Sequence, residues 1–287
     1  MCKIKFRQLF SAVLFGGLLS SCASWQGAGS APQPIRLYVF NCGTIDVLDI
    51  SRFNPAATKG EHKTLTNSCY LVVHPKGTLM WDTGLPDELA DMPGGSTMPD
   101  AFVKSVTHTL ASQLQEIGYD PDKISYLGLS HMHGDHTGNT HLFPHATLLL
   151  QMEEYAAAFG PDPDKVGFDP TNYPTLHANP VRTLQGDFDV FGDGTAIIKS
   201  TPGHSPGHQS LYLKLAKSGN ILLSGDLVHF TSNWQNKVVP AFNFDQQASL
   251  QTMLETEQFL KKNNAVLWIQ HDREQNAGIR HAPAYYE

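Results

Sequence analysis

Apolar residues along 35–82 fall in short alternating runs broken by turn residues, a period of two that favours strands. The run 35–43, IRLYVFNCG, predicts one strand, and 68–84, SCYLVVHPKGTLMWDTG, predicts two joined at the turn His74-Pro75-Lys76-Gly77. The period then lengthens. Phe102, Val103, Val106, Leu110 and Leu114 recur at helical spacing and predict a helix from Asp100 to Ile117, stopped by Gly118. The purely apolar run 124–130, ISYLGLS, reads as a buried strand. A strand over 146–151, a helix over 153–159 and a Pro/Gly/Asp-rich loop from Gly160 to Pro180 follow. Loops of that length are often functional, so this one is expected to act as a lid over a pocket. The second half repeats the style, with hairpins over 188–200 and 209–226, a helix from Asp245 to Lys262, and a strand 265–270 ending at His271. Strands outnumber helices, no repeat period is present, and sheets flanked by helices imply an α/β layered fold in a single domain over 35–287.

The N-terminus departs from this pattern. Lys3, Lys5 and Arg7 precede an apolar stretch from Leu9 to Leu19, too short for a comfortable membrane span, so the segment reads as a bacterial secretory signal. Leu19-Ser20-Ser21-Cys22 resembles a lipobox, which gives a signal peptide over 1–21, a lipidated Cys22, and a Ser/Gly/Pro-rich tether over 22–34. The alternative is a plain signal peptide with an incidental cysteine. The lipobox reading places the mature chain in the cell envelope on the periplasmic side, held to the membrane by its lipid alone. Ala23, in place of an aspartate, favours the outer membrane.

Charge narrows the partners. Twenty basic residues against 27 acidic give −7, and loss of Lys3, Lys5 and Arg7 with the leader takes the mature chain to −10. So acidic a chain is ill suited to nucleic acid. Of the four cysteines, Cys42 and Cys69 remain in the mature domain. Lying in strand-like segments, they read as buried thiols, with a disulfide in an oxidising compartment the lesser alternative.

The candidate chemistry begins at residues 130–139, SHMHGDHTGN. In an extended segment, positions i and i+2 share a face, so His131 and His133 can address one ion. Gly134 then allows a turn that aims Asp135 and His136 at a neighbouring point. Four ligand types in six residues exceed what one open tetrahedral site takes from a single loop, and two adjacent ions account for them better. Further ligands stand just past the ends of other apolar strands, His204 and His208 in TPGHSPGHQS, Asp226 in LLSGD and His271 in LWIQHD, where α/β folds gather their sites. The remaining histidines, His62, His74, His108, His141, His145, His177 and His281 among them, show no ligand spacing.

This set, HxHxDH, then GHSPGH, then a strand-terminal aspartate and a strand-terminal histidine, resembles the metallo-β-lactamase superfamily. Within it, NSCYLVVHPKGTLMWDTGLPD, STPGHSPGHQSLYL and IQHDREQ resemble the N-acyl homoserine lactonase branch. The resemblance runs from Leu37 to the C-terminus and implies a four-layer αβ/βα sandwich holding two Zn2+ ions. Carried over position by position, it gives His131, His133 and His204 to the first zinc and Asp135, His136 and His271 to the second, with Asp226 bridging. Asp82 in WDTG and His208 would stand behind the ligands and orient them. Lactonases of this branch commonly carry a tyrosine three residues after the bridging aspartate, and here that position is His229.

Two adjacent zinc ions lower the pKa of a shared water and supply hydroxide for attack on a carbonyl. On this reading His229 helps stabilise the oxyanion, Asp135 returns a proton to the leaving alkoxide, and no G-x-S-x-G nucleophile is required. The expected reaction is opening of a lactone, with acyl homoserine lactones as the leading substrate. Met92, Met98, Phe159, Phe168, Phe230, Trp234 and Phe242 are candidates for an acyl-chain pocket, with ordinary loop packing the competing reading. A glyoxalase II-like thioesterase or other ester hydrolase shares the ligand set. Asp226 argues against a three-histidine β-lactamase, net charge against a phosphodiesterase or nuclease, and His133 against a di-iron redox protein. A zinc-binding lipoprotein without turnover is the alternative of another class.

Overall fold

In the computed structural model the described residues are Met1, 34–92, 94–98 and 102–287. The expected signal segment, Cys22 and nearly all of the tether lie outside them. Among the described residues, no helix is long and apolar enough to cross a membrane.

Two sheets face each other. The first contains β1 (Arg36–Val47), β2 (Lys63–His74), β3 (Gly77–Trp81), β4 (Ser96–Met98), β5 (Phe102–Ser105), β6 (Tyr126–Gly128), β7 (Thr147–Gln151) and β8 (Val181–Leu184), in the order β4-β5-β1-β2-β3-β6-β7-β8. The second contains β9 (Phe188–Asp189), β10 (Ala196–Ser200), β11 (Gln209–Leu215), β12 (Gly219–Leu223) and β13 (Ala265–Trp268), in the order β13-β12-β11-β10-β9. A short β14 (Tyr285–Tyr286) pairs with β1. The helices are α1 (Leu110–Glu116), α2 (Gly134–Thr137), α3 (Met152–Ala158), α4 (Thr231–Asn236), α5 (Gln246–Asn263) and α6 (Arg273–Asn276).

Strand alternation builds the layers. Leu37 and Val39 of β1, Tyr70 and Val72 of β2, and Leu79 and Trp81 of β3 meet Ile198, Leu211, Leu213, Ile221 and Leu223 between the sheets. The intervening Tyr38, Phe40, Leu71 and Met80 face the opposite way, onto Leu110 and Leu114 of α1 and Ala158 of α3. On the outer face of the second sheet, Tyr212, Leu222 and Leu267 meet Met253 and Leu260 of α5. Each side chain of this size, fully buried, contributes about 1.5–3 kcal/mol. The result is the expected four-layer αβ/βα sandwich. The helix expected over Asp245–Lys262 is α5, started by Asp245, whose carboxylate accepts from Ala248 N at 2.8 Å.

Three expectations are corrected. The helix expected from Asp100 to Ile117 is instead strand β5, paired antiparallel to β1, followed by the shorter α1. β-branched Val103 suits a strand as well as a helix, and β5 is paired on both sides, by β4 and β1. The helix begins only where Thr109 caps it and the Asp87 carboxylate accepts from Leu110 N at 2.7 Å and Ala111 N at 3.1 Å. Its stop at Gly118 holds. Cys42 and Cys69 are joined as a disulfide rather than free, because a bulge in β1 sets Cys42 beside Cys69 on β2, with a Cα–Cα distance of 5.9 Å. The loop over 160–180 is no free lid. Phe168, Tyr173 and Leu176 anchor it in the core, and it borders the site at Val166 and Gly167.

Candidate metal centre

The predicted ligands converge where strands end. β6 delivers Ser130 through His136, β12 delivers Asp226, β13 delivers His271, and the loop from β10 to β11 delivers His204. His131, His133, His204 and Asp226 form one group whose ligand atoms lie within 4.8 Å of one another, and Asp135, His136 and His271 form a second. In the first, His133 Nδ1 is 2.8 Å from His131 Nε2 and 3.0 Å from His204 Nε2. Asp226 divides its oxygens between the groups. Oδ2 lies 3.3 Å from His204 Nε2 and 3.8 Å from His131 Nε2, while Oδ1 lies 3.0 Å from His271 Nε2 and 3.3 Å from His136 Nε2.

This donor set fits two metal ions. Three imidazole nitrogens crowd one another in a buried space, close to the edge of about 3.3 Å that nitrogens span in a tetrahedron with zinc–nitrogen bonds of about 2.0 Å. His136 Nε2 and Asp226 Oδ1 are buried without a hydrogen-bond partner, which a cation between them would remedy.

The far side of each imidazole is held. His131 Nδ1 meets Ser130 Oγ at 3.1 Å, His204 Nδ1 meets Asn243 Oδ1 at 3.2 Å, His271 Nδ1 meets the Thr66 carbonyl at 2.8 Å, and His133 Nε2 meets the Val166 carbonyl at 3.3 Å. Asp82, in a left-handed conformation at φ 56°, accepts from Ser130 N at 2.6 Å through Oδ1 and lies 3.0 Å from His136 Nδ1 through Oδ2. Such partners fix ring orientation. His208 stands outside both groups. Its Nδ1 lies 3.0 Å from the Thr201 carbonyl, and its Nε2 accepts from Asp226 N at 2.9 Å, so it holds the backbone of Asp226. His229 directs Nε2 at Asp226 Oδ2, 3.1 Å away.

Electrostatics divide the two groups. Burial drives His131 and His204 well below the usual imidazole range and lowers His133, so these rings are neutral ligands. Burial also takes His208 down to about 4, in keeping with an Nε2 that accepts. For His136 and His271 burial acts in the same sense, but Asp226 first, with Asp135 and for His136 also Asp82, outweighs it and raises both. Burial favours the neutral form of Asp226 and Asp135, yet the surrounding imidazoles, with Lys104 beside Asp135, hold both carboxyls below the ordinary range. A metal held by the second group would therefore compete with protons on His136 and His271 more than one held by His131, His133 and His204. On acidification of the loaded protein, the second group is expected to release its metal at a higher pH than the first. Metal content after equilibration between pH 7 and 5 checks this, and simultaneous loss of both metals counts against it.

The groups open into a cavity of about 340 Å³ lined by Ile45, Phe53, Leu65, Phe102, Phe242, Arg52 and Lys104 together with His133, Asp135, His229 and His271. Of the expected pocket residues whose side chains are described, Phe242 alone lines it. Phe168 and Phe230 are core residues, Phe159 and Trp234 pack against cores, and Met92 is exposed. Position in a loop does not fix a side chain's direction. The walls come from strands instead, where Lys104, Ile45 and Leu65 form one cross-strand row over β5, β1 and β2.

Residues the sequence did not mark include Ser130, Asn243, Thr66 and Glu154. Ser130, adjacent to His131, was open to notice; the other three meet the site through contacts 22 or more residues apart in the chain. Glu154 is buried, which pushes it up to about 7.

Residues 63–267 match the model of the metallo-beta-lactamase superfamily. N-acyl homoserine lactonase AttM of Rhizobium radiobacter is 31% identical over 263 residues, covering 88% of this chain and 98% of its own length. The N-acyl homoserine lactonase of Bacillus thuringiensis is 30% identical over 257 residues, covering 87% and 98%. A solved N-acyl homoserine lactone hydrolase with the product N-hexanoyl-L-homoserine bound at its catalytic metal centre superposes with a TM-score of 0.77 at 29% identity, covering 88% of this chain and 99% of its own. With relatives that are N-acyl homoserine lactonases, this chain belongs to the metallo-beta-lactamase superfamily.

Proposed function

We propose that the chain is a dinuclear zinc hydrolase that opens the ring of N-acyl homoserine lactones. The observation that carries the reading is Asp226, which offers one oxygen to each of two ligand groups at the end of a cavity with apolar walls. Relatives at about 30% identity over nearly their whole length are lactonases, which favours the lactone over a thioester. His131, His133 and His204 would hold one zinc, Asp135, His136 and His271 the other, with Asp226 between. Two zinc ions, when bound, supply a nucleophilic water at neutral pH and polarise the carbonyl.

The chain's own residues do the rest. Ile45, Phe53, Leu65, Phe102 and Phe242 take the acyl chain away from water. His229 Nε2–H, facing Asp226 Oδ2 on the side of the first group, donates to the oxyanion that forms at the attacked carbonyl. Asp135, which lines the cavity, takes the proton of the attacking water and passes it to the ring oxygen as the bond breaks. Residues 1–21 would be a lipoprotein signal, and Cys22 would anchor the domain in the cell envelope, a reading supported by the sequence alone.

Proton release by the zinc-loaded domain, followed at constant pH on short- and long-chain acyl homoserine lactones, tests the activity. Rapid acid release that a chelator abolishes is expected. Inertness of a protein shown to hold two metals would overturn the lactone, and thioester hydrolysis by that protein would identify the substrate class instead.

A further inference from the structure

We propose that Glu154 is a positioning residue that sets the distance between the loop of His131 and His133 and the loop of His204. It lies in the first turn of α3 and is fully buried. Oε1 accepts from Met132 N at 3.0 Å and from Ser205 Oγ at 2.9 Å; Oε2 accepts from Ser205 Oγ at 2.8 Å and from Gly207 N at 2.7 Å. Met132 stands between His131 and His133, and Ser205 follows His204. One carboxylate thus ties together the two chain segments that bring His131 Nε2 and His204 Nε2 to 2.8 and 3.0 Å from His133 Nδ1. Gly207 is part of the same device, since a Cβ there would come within 2.5 Å of Glu154 N and 2.8 Å of its Cβ.

The contacts are lopsided with respect to the two ligand groups. His136 is held by Asp82, His271 by the Thr66 carbonyl, and the Asp135 carbonyl accepts from Asn67 Nδ2 at 2.7 Å. None of these runs through Glu154. Among the described residues no Lys or Arg is seen to meet the Glu154 carboxylate either, and hydrogen bonds balance its burial. Burying such a group is costly, and a residue kept only to fill space there would be apolar. A glutamine in its place presents an amide NH2 to at least one backbone N–H, and the clip opens on that side.

The inference rests on the metal reading above, and a double-mutant cycle separates the two. Zinc affinity of the full chain is measured by chelator competition in two parents, His271→Ala, which leaves the three-histidine group intact, and His204→Ala, which leaves the other. Glu154→Gln is expected to lower affinity about 10- to 100-fold in the first parent, the usual effect of losing an outer partner, and to leave it unchanged in the second. Glu154→Asp should recover part of the loss. Ser205→Ala, which keeps both backbone contacts, should show a smaller loss in the first parent alone, and it carries the test if Glu154→Gln does not fold. Equal losses in both parents, or none in either, overturn the positioning role. Parents that bind no zinc overturn the metal reading with it.

Discussion

Asp226→Ala is expected to lower turnover about 10³-fold or more and to leave the protein unable to hold two metals together. The scale is at least that of removing a single preorganised group from a transition state, because one carboxylate serves both groups. Its Oδ1 is 3.0 Å from His271 Nε2 and 3.3 Å from His136 Nε2, and its Oδ2 is 3.3 Å from His204 Nε2. Among the described residues no other carboxylate is placed to substitute, since Asp135 Oδ2 stands 3.7 Å from His271 Nε2 and 3.8 Å from His136 Nε2, within the second group. Loss of the charge also leaves His136 and His271 without the neighbour that most raises them. Asp226→Asn separates charge from shape: it keeps one oxygen and the side-chain volume, so one metal should remain while turnover falls. Metal content together with initial rates on a lactone is the measurement. An Asp226→Ala protein that holds two metals tightly and turns over at the parent rate would remove the bridging role.

The candidate metal-ligating set is legible in the sequence because each member announces itself locally, as a polar residue just beyond an apolar strand. Asp226 and His271 need no knowledge of their partners to be noticed. The residues that orient them give no such signal. Glu154 is one of two adjacent glutamates, and which of them turns inward depends on how α3 sits on β7, a tertiary fact. Asn243 and Thr66 act across 39 and 205 positions. The acyl pocket fails for a related reason. Aromatic residues in loops look available, yet Phe168 and Phe230 are consumed by cores, whereas Phe102 and Ile45 reach the cavity because strand alternation points them there. The misread helix at 100–117 shows the limit of periodicity, since pairing with β1 overrides a helical spacing that only five residues support.

His229→Phe is expected to lower kcat about 10²- to 10³-fold, the cost of one oxyanion donor, with KM changed far less. The ring is buried and held edge-on by Phe53, with ring centroids 4.9 Å apart, and stacks on His271 at 5.7 Å and 10°. A phenyl ring keeps that packing. What it loses is the hydrogen bond, and only one nitrogen is in play: Nδ1 is buried with no partner, while Nε2 lies 3.1 Å from Asp226 Oδ2. Since a carboxylate only accepts, that contact puts the proton on Nε2, and on the proposed mechanism the same N–H would turn from Asp226 to the attacked carbonyl. Tyrosine, the residue that lactonases of this branch commonly carry here, also offers a donor, so His229→Tyr should retain most of the turnover that His229→Phe loses. Metal content separates this role from a simple support of Asp226: a donor to substrate leaves both metals in place in His229→Phe, whereas a brace for the bridging carboxylate weakens them. Unchanged kcat in His229→Phe would reduce His229 to packing, and loss of metal in that variant would move its role from the oxyanion to the ligand shell.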